Sequence, residues 1–133
     1  MRKEAYDPIP YETEVTARKV VDAAYRVHSV LGPGLLEGVY EACLCHELAK
    51  RDIAFRNQIA LPVIYDSLKL DAGLRCDIIV NDCLIVEIKA VEKTIPVHEA
   101  QLLTYLKLTG IRLGFLINFN TPRIKDGIKR IIL

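Results

Sequence analysis

Three charged side chains interrupt an apolar stretch in the middle of the chain. They are Asp77, Glu87 and Lys89, and the surrounding residues 74–89 are rich in isoleucine and valine. Glu87 and Lys89 are two positions apart, so they share one face of a β-strand. Two acids and an amine are costly to bury unless a partner charge or a divalent cation compensates them. The stretch therefore indicates either a metal-dependent site or an internal ion pair between Glu87 and Lys89.

The same stretch is predicted to form a β-hairpin. Asn81-Asp82 lies between its two strands, and both residues tolerate the left-handed backbone of a tight turn. Pairing across this turn sets Val80 against Cys83 and brings Asp77 near Glu87. A bulge of one residue would align the two carboxylates. We expect both faces of the hairpin to be buried, with the two acids close together at one end.

The elements that must position these residues follow from hydrophobic periodicity and from turn residues. They are helices over about 14–31, 36–51 and 96–109, and strands over about 55–63, 65–70, 74–80, 83–89, 112–119 and 129–133. Thr13 is a possible N-cap of the first helix, and Pro62 suggests a sheet edge or a bulge. The order α-α-β-β-β-β-α-β-β describes one α/β domain over residues 14–133, after an extended lead-in over residues 1–13.

A further acid, Glu37, lies in the first turn of the second predicted helix. At 100° per residue it points almost the same way as Leu44 and Leu48, toward the core. Glu37 could stabilise the helix N-terminus through the dipole, or aim its carboxylate into a site on the sheet. Glu47 lies on the same arc, but a residue in the last turn reaches solvent more easily.

Histidine and cysteine, the other common metal ligands, give a weaker signal. His28 lies beside the apolar stripe of the first helix, and we interpret it as a packed, hydrogen-bonded residue. The four cysteines include no CxxC pair, so we expect reduced thiols rather than a zinc or iron–sulfur site.

Composition excludes few classes of function. There are 18 basic and 17 acidic residues, and the net charge of +1 does not by itself indicate a nucleic-acid partner. Arg123, Lys125, Lys129 and Arg130 make the C-terminal segment locally basic, which is typical of a solvated tail but could face phosphate. Since there is no signal-peptide-like or membrane-spanning apolar run, we expect a cytosolic protein without membrane contact.

Four motifs in this order resemble a known superfamily. Gly34-Leu35-Leu36-Glu37-Gly38-Val39-Tyr40 matches the motif that names the GxxExxY protein family, and the late segment 114–119 is similar to the same family. Asp77 followed by Glu87-Ile88-Lys89 resembles the PD-(D/E)XK nuclease core. Gln101 and Tyr105 match the QxxxY motif of its RecB-like and lambda-exonuclease-like branch. Cys76 replaces the usual proline before the aspartate, a position that carries no chemistry.

The resemblance implies a restriction-endonuclease-like core, with a mixed β-sheet flanked by helices, and a nuclease that acts on DNA. It also implies oxygen donors for Mg²⁺ or Mn²⁺: Glu37, Asp77, Glu87 and the backbone carbonyl of Ile88. Lys89 would hold the attacking water or the phosphate. Gln101 would orient that water or Lys89, and Tyr105 would contact the backbone phosphate or brace Gln101.

A second hypothesis is a non-catalytic module that keeps the fold and the metal but only binds nucleic acid or protein. The near-zero net charge favours this alternative somewhat. The apolar C-terminal residues 131–133 could also support a homodimer or a larger complex.

Overall fold

A computed structural model of the chain describes residues 7–133, apart from the side chain of Ala72. Residues 1–6 of the predicted lead-in therefore lie outside the described residues. The elements are α1 (Tyr11–Leu31), α2 (Glu37–Lys50), β1 (Phe55–Tyr65), β2 (Leu68–Val80), β3 (Leu84–Lys89), α3 (Pro96–Thr109), β4 (Leu113–Asn118) and β5 (Ile128–Ile132), with a 3-10 turn at Ile124–Gly127. No helix in this part of the chain is long and apolar enough to cross a membrane.

The strands form one mixed sheet in the order β1-β2-β3-β4-β5. Among the strands that the structure describes, β3 and β4 run parallel and the other neighbours antiparallel, and α3 is the crossover between β3 and β4. These two central strands are buried almost throughout, which explains their continuous runs of apolar residues. The predicted mixed sheet flanked by helices is confirmed.

Helices cover both faces of the sheet. The α1 stripe that includes Val20 and Ala24 packs with Leu44 and Leu48 of α2 in one apolar core. Leu102 and Leu106 of α3 pack in a second core on the opposite face. Because each core includes alternate residues of the central strands, neighbouring side chains of β3 serve different faces.

In the part of the chain that the structure describes, the sheet has five strands, whereas six were predicted. Segments 65–70 and 74–80 were predicted as separate strands, but residues 68–80 form the single strand β2, and Tyr65 belongs to β1. The ladder changes register around Pro62, where three β2 residues oppose one on β1. Pro62, which donates no hydrogen bond, thus lies on an edge strand and at a bulge, as predicted, and the chain stays extended through it.

The hairpin turn lies where it was predicted, but the strand register differs by one residue. Asn81 and Asp82 have φ of 50° and 52°, as the turn requires. Val80 pairs with Leu84 rather than with Cys83, so Cys83 is the extra residue of a bulge. This shift of one residue sets Asp77 of β2 opposite Glu87 of β3.

The first helix begins earlier than predicted. It starts at Tyr11 after Pro10, and no side chain caps it. Thr13 lies inside the first turn and is 8% exposed, so its prediction as the N-cap is wrong. The ring of Pro10 fixes the φ of that residue just before the helix, an effect that the prediction of a later start did not take into account.

Tyr40 organises the loop that leads into α2. Its hydroxyl donates to the Gly32 carbonyl at 2.6 Å and accepts from the Leu35 amide at 3.1 Å. Its ring stacks on Phe119 with 4.7 Å between centroids. The tyrosine thus fixes the start of α2, and with it Glu37, against the end of β4.

Candidate active site

Asp77 and Glu87 exchange hydrogen bonds at the end of the β2–β3 ladder. Regular pairing ends at Ile78 and Val86. Beyond it the Asp77 amide donates to Glu87 Oε1 at 2.9 Å, and the Ile88 amide donates to Asp77 Oδ2 at 2.8 Å. Each carboxylate is therefore fixed by the backbone of the opposite strand. The sequence predicted that the two acids are close, but not this exchange.

The two carboxylates occupy an unfavourable electrostatic environment. Asp77 is 8% exposed and Glu87 is 3% exposed. Burial raises the pKa of Asp77 to about 6, and burial together with the charge of Asp77 raises the pKa of Glu87 to about 8. Two buried acids with raised pKa values favour a proton or a cation between them.

Lys89 ends β3 and lies on the same face of that strand as Glu87. Its positive charge lowers the pKa of both Asp77 and Glu87, so the ammonium is near the pair. Both Glu87 and Lys89 are described residues, and they form no direct ion pair with each other. The simple internal ion pair considered from the sequence is therefore not formed.

Helix α2 presents two acids to this pair, one turn apart. The charge of Glu37, in the exposed first turn, raises the pKa of Asp77 and of Glu87, so Glu37 lies on the site side of the molecule. Glu41 acts on Asp77 more strongly than Glu37 does. Our sequence interpretation missed Glu41, although its i, i+4 spacing from Glu37 places it on the same helix face.

Gln58 on the edge strand is the second residue that was missed. Its φ of 53° is unusual for a non-glycine residue inside a strand. Its neighbours Asn57 and Ile59 pair with Ile78 and Cys76, which places Gln58 opposite Asp77. Nothing in the surrounding sequence predicts this conformation or this contact.

The QxxxY pair lies on α3, which covers the face of the sheet that carries Ile85 and therefore also Glu87, two positions later on β3. Tyr105 is 1% exposed, and its hydroxyl donates to the Arg75 carbonyl at 3.0 Å, two residues before Asp77. Burial raises the pKa of Tyr105, which keeps the hydroxyl protonated as a donor. Gln101 is half-buried one turn earlier on the helix. Its predicted role toward Lys89 or water stays a prediction.

We expect Tyr105→Phe to destabilise the protein by about 1 kcal/mol, since it removes one buried hydrogen bond and leaves the Arg75 carbonyl unpaired. The loss should appear as a lower midpoint of thermal unfolding. Tyr65→Phe is a suitable control because Tyr65 is 71% exposed. Equal midpoints for the two variants would contradict a bracing role for Tyr105.

Other candidate residues lie outside the site. The His28 ring bonds the Thr121 carbonyl through Nε2 at 2.8 Å, which confirms the packed interpretation. Glu47 pairs with Lys50 and Arg51, each at 3.2 Å, and these contacts lower its pKa. All four cysteines are free thiols, as expected.

The basic C-terminal segment is largely neutralised. Three of its four basic residues form ion pairs: Arg130 with Glu14 at 2.6 Å, Lys129 with Glu99 at 2.7 Å and Arg123 with Asp126 at 3.6 Å. All three pairs are at least partly exposed to solvent. This arrangement favours the solvated interpretation over a phosphate-facing patch.

The donor set suits a hard cation, but it is not fully assembled. Within residues 7–133 no three His, Cys, Asp or Glu side chains are grouped closely enough to hold a metal ion, so the predicted convergence of Glu37 with Asp77 and Glu87 is not seen. Mg²⁺, however, commonly binds one or two protein carboxylates and keeps several waters. The buried Glu87 also has an oxygen, Oε2, that accepts no hydrogen bond from a described residue. The Asp77–Glu87 pair therefore fits a divalent ion.

A model of the PD-(D/E)XK nuclease superfamily matches residues 14–131, a range that includes every residue of the candidate site. No curated protein and no solved structure matches the chain. The closer placement in the GxxExxY family and in the RecB-like branch stays a prediction. Since the matched range spans nearly the whole chain and the observed fold agrees with it, the protein belongs to the PD-(D/E)XK nuclease superfamily.

Proposed function

We propose that this protein is a metal-dependent nuclease that hydrolyses phosphodiester bonds of DNA, with Mg²⁺ or Mn²⁺ as the cofactor. The observation that supports this most strongly is the buried Asp77–Glu87 pair, with Lys89 beside it on the same strand as Glu87. These residue types are the ones that phosphodiester hydrolysis needs, namely hard oxygen donors and an amine.

Asp77 and Glu87 would hold the divalent ion through their carboxylates. The carbonyl of Ile88 is a further candidate donor, because the N–H and C=O of one strand residue point to the same side and the Ile88 amide already faces Asp77. When bound, the ion would supply Lewis-acid activation of water and would offset charge on the phosphate. The protein keeps the donors in place through the exchanged backbone bonds.

The remaining residues would act on the substrate or on the position of the site. Lys89 would hold the attacking water or a phosphate oxygen with its ammonium. Gln101 would orient that water or Lys89. Tyr105 donates to the Arg75 carbonyl, which supports a bracing role toward β2, where the resemblance implied contact with the phosphate or bracing of Gln101.

The second candidate is a non-catalytic module that binds nucleic acid or protein and acts in the cytosol, alone, as a homodimer or in a larger complex. The neutralised C-terminal segment and the net charge of +1 favour it, since neither provides a strong field for the nucleic-acid backbone. In this case the metal would contribute to stability only.

Purified protein assayed on labelled single- and double-stranded DNA and RNA separates the two candidates. We expect cleavage of DNA with Mg²⁺ or Mn²⁺, none with EDTA, and a loss of at least about a hundredfold in Lys89→Ala. Absence of cleavage from every substrate, together with stabilisation by the metal, would support the module instead.

A further inference from the structure

One side chain lies between two carboxylates that come from different elements of the site. Nε2 of Gln58 donates to Oε1 and Oε2 of Glu41, both at 2.8 Å, and lies 3.5 Å from Oδ1 of Asp77. Three carboxylate oxygens thus surround one amide nitrogen. The amide hydrogens carry partial positive charge. The amide of Gln58 therefore lies between Glu41 and Asp77, where the two negative charges would also favour a cation.

The backbone at Gln58 supports a functional reason for this contact. A left-handed φ of 53° is costly for a long side chain and persists only where the surrounding structure imposes it. The ladder residues on both sides, Asn57 and Ile59, pair normally with β2. The unusual conformation is therefore confined to the residue that contacts the two carboxylates.

Glu41 is also the acid on α2 that affects Asp77 most. It raises the pKa of Asp77 more than Glu37 does, one turn earlier. The resemblance to known nucleases suggests a carboxylate ligand at Glu37 and none at Glu41. The contacts in this chain instead connect Glu41 to Asp77 through a single side chain.

We propose that Glu41 is a further oxygen donor for the divalent ion, and that Gln58 is a positioning residue that holds Glu41 beside Asp77 until an ion displaces its amide. The inference rests on the proposed function, because it requires Asp77 to bind a divalent ion. An ion that bridges the two carboxylates occupies the position of the Gln58 amide nitrogen. Its binding therefore releases Gln58 from Asp77 and Glu41.

Calorimetric titration of the full chain with Mn²⁺ tests the role of Glu41. We expect Glu41→Gln to weaken Mn²⁺ binding by about tenfold, because it removes one charged donor. Glu47→Gln is the matched control, since Glu47 is on the same helix but pairs with Lys50 and Arg51. This inference would be overturned if Glu41→Gln and Glu47→Gln bound Mn²⁺ equally well. The proposed function would still stand if, in the same experiment, the wild type bound Mn²⁺ tightly and Asp77→Asn did not. Absence of Mn²⁺ binding by the wild type would overturn both.

Gln58→Met tests the positioning role, since methionine has nearly the same length and no donor. Without the amide, Glu41 and Asp77 repel each other in EDTA, and no group competes with the ion. We expect a lower unfolding midpoint in EDTA, a midpoint equal to the wild type in saturating Mn²⁺, and Mn²⁺ binding that is tighter by about fivefold. A purely structural role would lower the midpoint equally in both conditions. That outcome, or Mn²⁺ binding no tighter than wild type, would overturn the role of Gln58.

Discussion

Replacing Asp77 by asparagine is expected to remove most phosphodiester cleavage and, at the same time, to stabilise the metal-free protein. The variant loses one charged ligand, so the cleavage rate with Mg²⁺ should fall by at least about a thousandfold. The asparagine side chain still offers an oxygen to the Ile88 amide, so the exchanged hydrogen bonds can persist. Because the variant no longer places a second acid beside Glu87, its unfolding midpoint in EDTA should rise by a few degrees, on the order of 1 kcal/mol.

Asp71→Asn is the matched control for this variant. Asp71 is on the same strand, but its side chain is 84% exposed and pairs with Lys69 at 3.6 Å. Neither the rate nor the midpoint should change by more than the error of the measurement. If Asp77→Asn cleaved DNA as fast as Asp71→Asn, Asp77 would have no part in the chemistry.

The metal-free protein is expected to lose stability as the pH rises from 5 to 8. The folded-state pKa values of Asp77 and Glu87, about 6 and about 8, lie above the ordinary values of 3.8 and 4.5. A carboxyl group whose pKa is raised by folding stabilises the folded state fully at a pH below its unfolded-state pKa. This stabilisation is lost as the pH rises through the folded-state pKa. Across this window the free energy of unfolding should fall by an amount on the order of a few kcal/mol. Thermal unfolding in EDTA across this pH range measures the effect.

Glu87→Gln provides the control, because glutamine is neutral at every pH. Its unfolding midpoint should vary much less between pH 5 and pH 8 than that of the wild type. Saturating Mn²⁺ should also reduce the pH dependence of the wild type, since the ion compensates both charges. A wild-type midpoint that rises with pH, or a variant that keeps the wild-type slope, would contradict the burial of two ionisable acids.

The sequence was sufficient to predict the helices, most of the strands and the closeness of the two acids. Apolar strands, a left-handed turn at Asn81-Asp82 and helix α3 are local features that periodicity and turn chemistry reveal. The strand register could not be predicted in this way. A register error of one residue at Cys83 leaves the apolar pattern unchanged, because both faces of the strand are buried. Only the structure places the aspartate directly opposite the glutamate.

The contributions of Glu41 and Gln58 could not be predicted in the same way. The contact between them depends on how α2 docks beside an edge strand, and 17 residues separate them in the chain. It also depends on a left-handed residue inside a strand, which local propensity disfavours. Such departures from local preference are typical of functional sites, and here the departure lies beside the buried aspartate.

The continuous strand β2 has a related explanation. Residues 71–73 contain an aspartate and a glycine, which are typical of a turn. The structure uses Gly73 differently, because a Cβ there would lie 2.6 Å from Cγ2 of Val63. The glycine permits close approach of two strands at the bulge, a requirement that only the paired strand reveals.

The most direct measurement of the central claim is anomalous diffraction from crystals of the protein grown with Mn²⁺. We expect one strong anomalous peak within coordination distance of the carboxylates of Asp77 and Glu87, and its loss in Asp77→Asn. Crystals saturated with Mn²⁺ that show no peak beside this pair, or a peak only at distant surface carboxylates, would contradict the assignment of the pair as the metal centre of a nuclease.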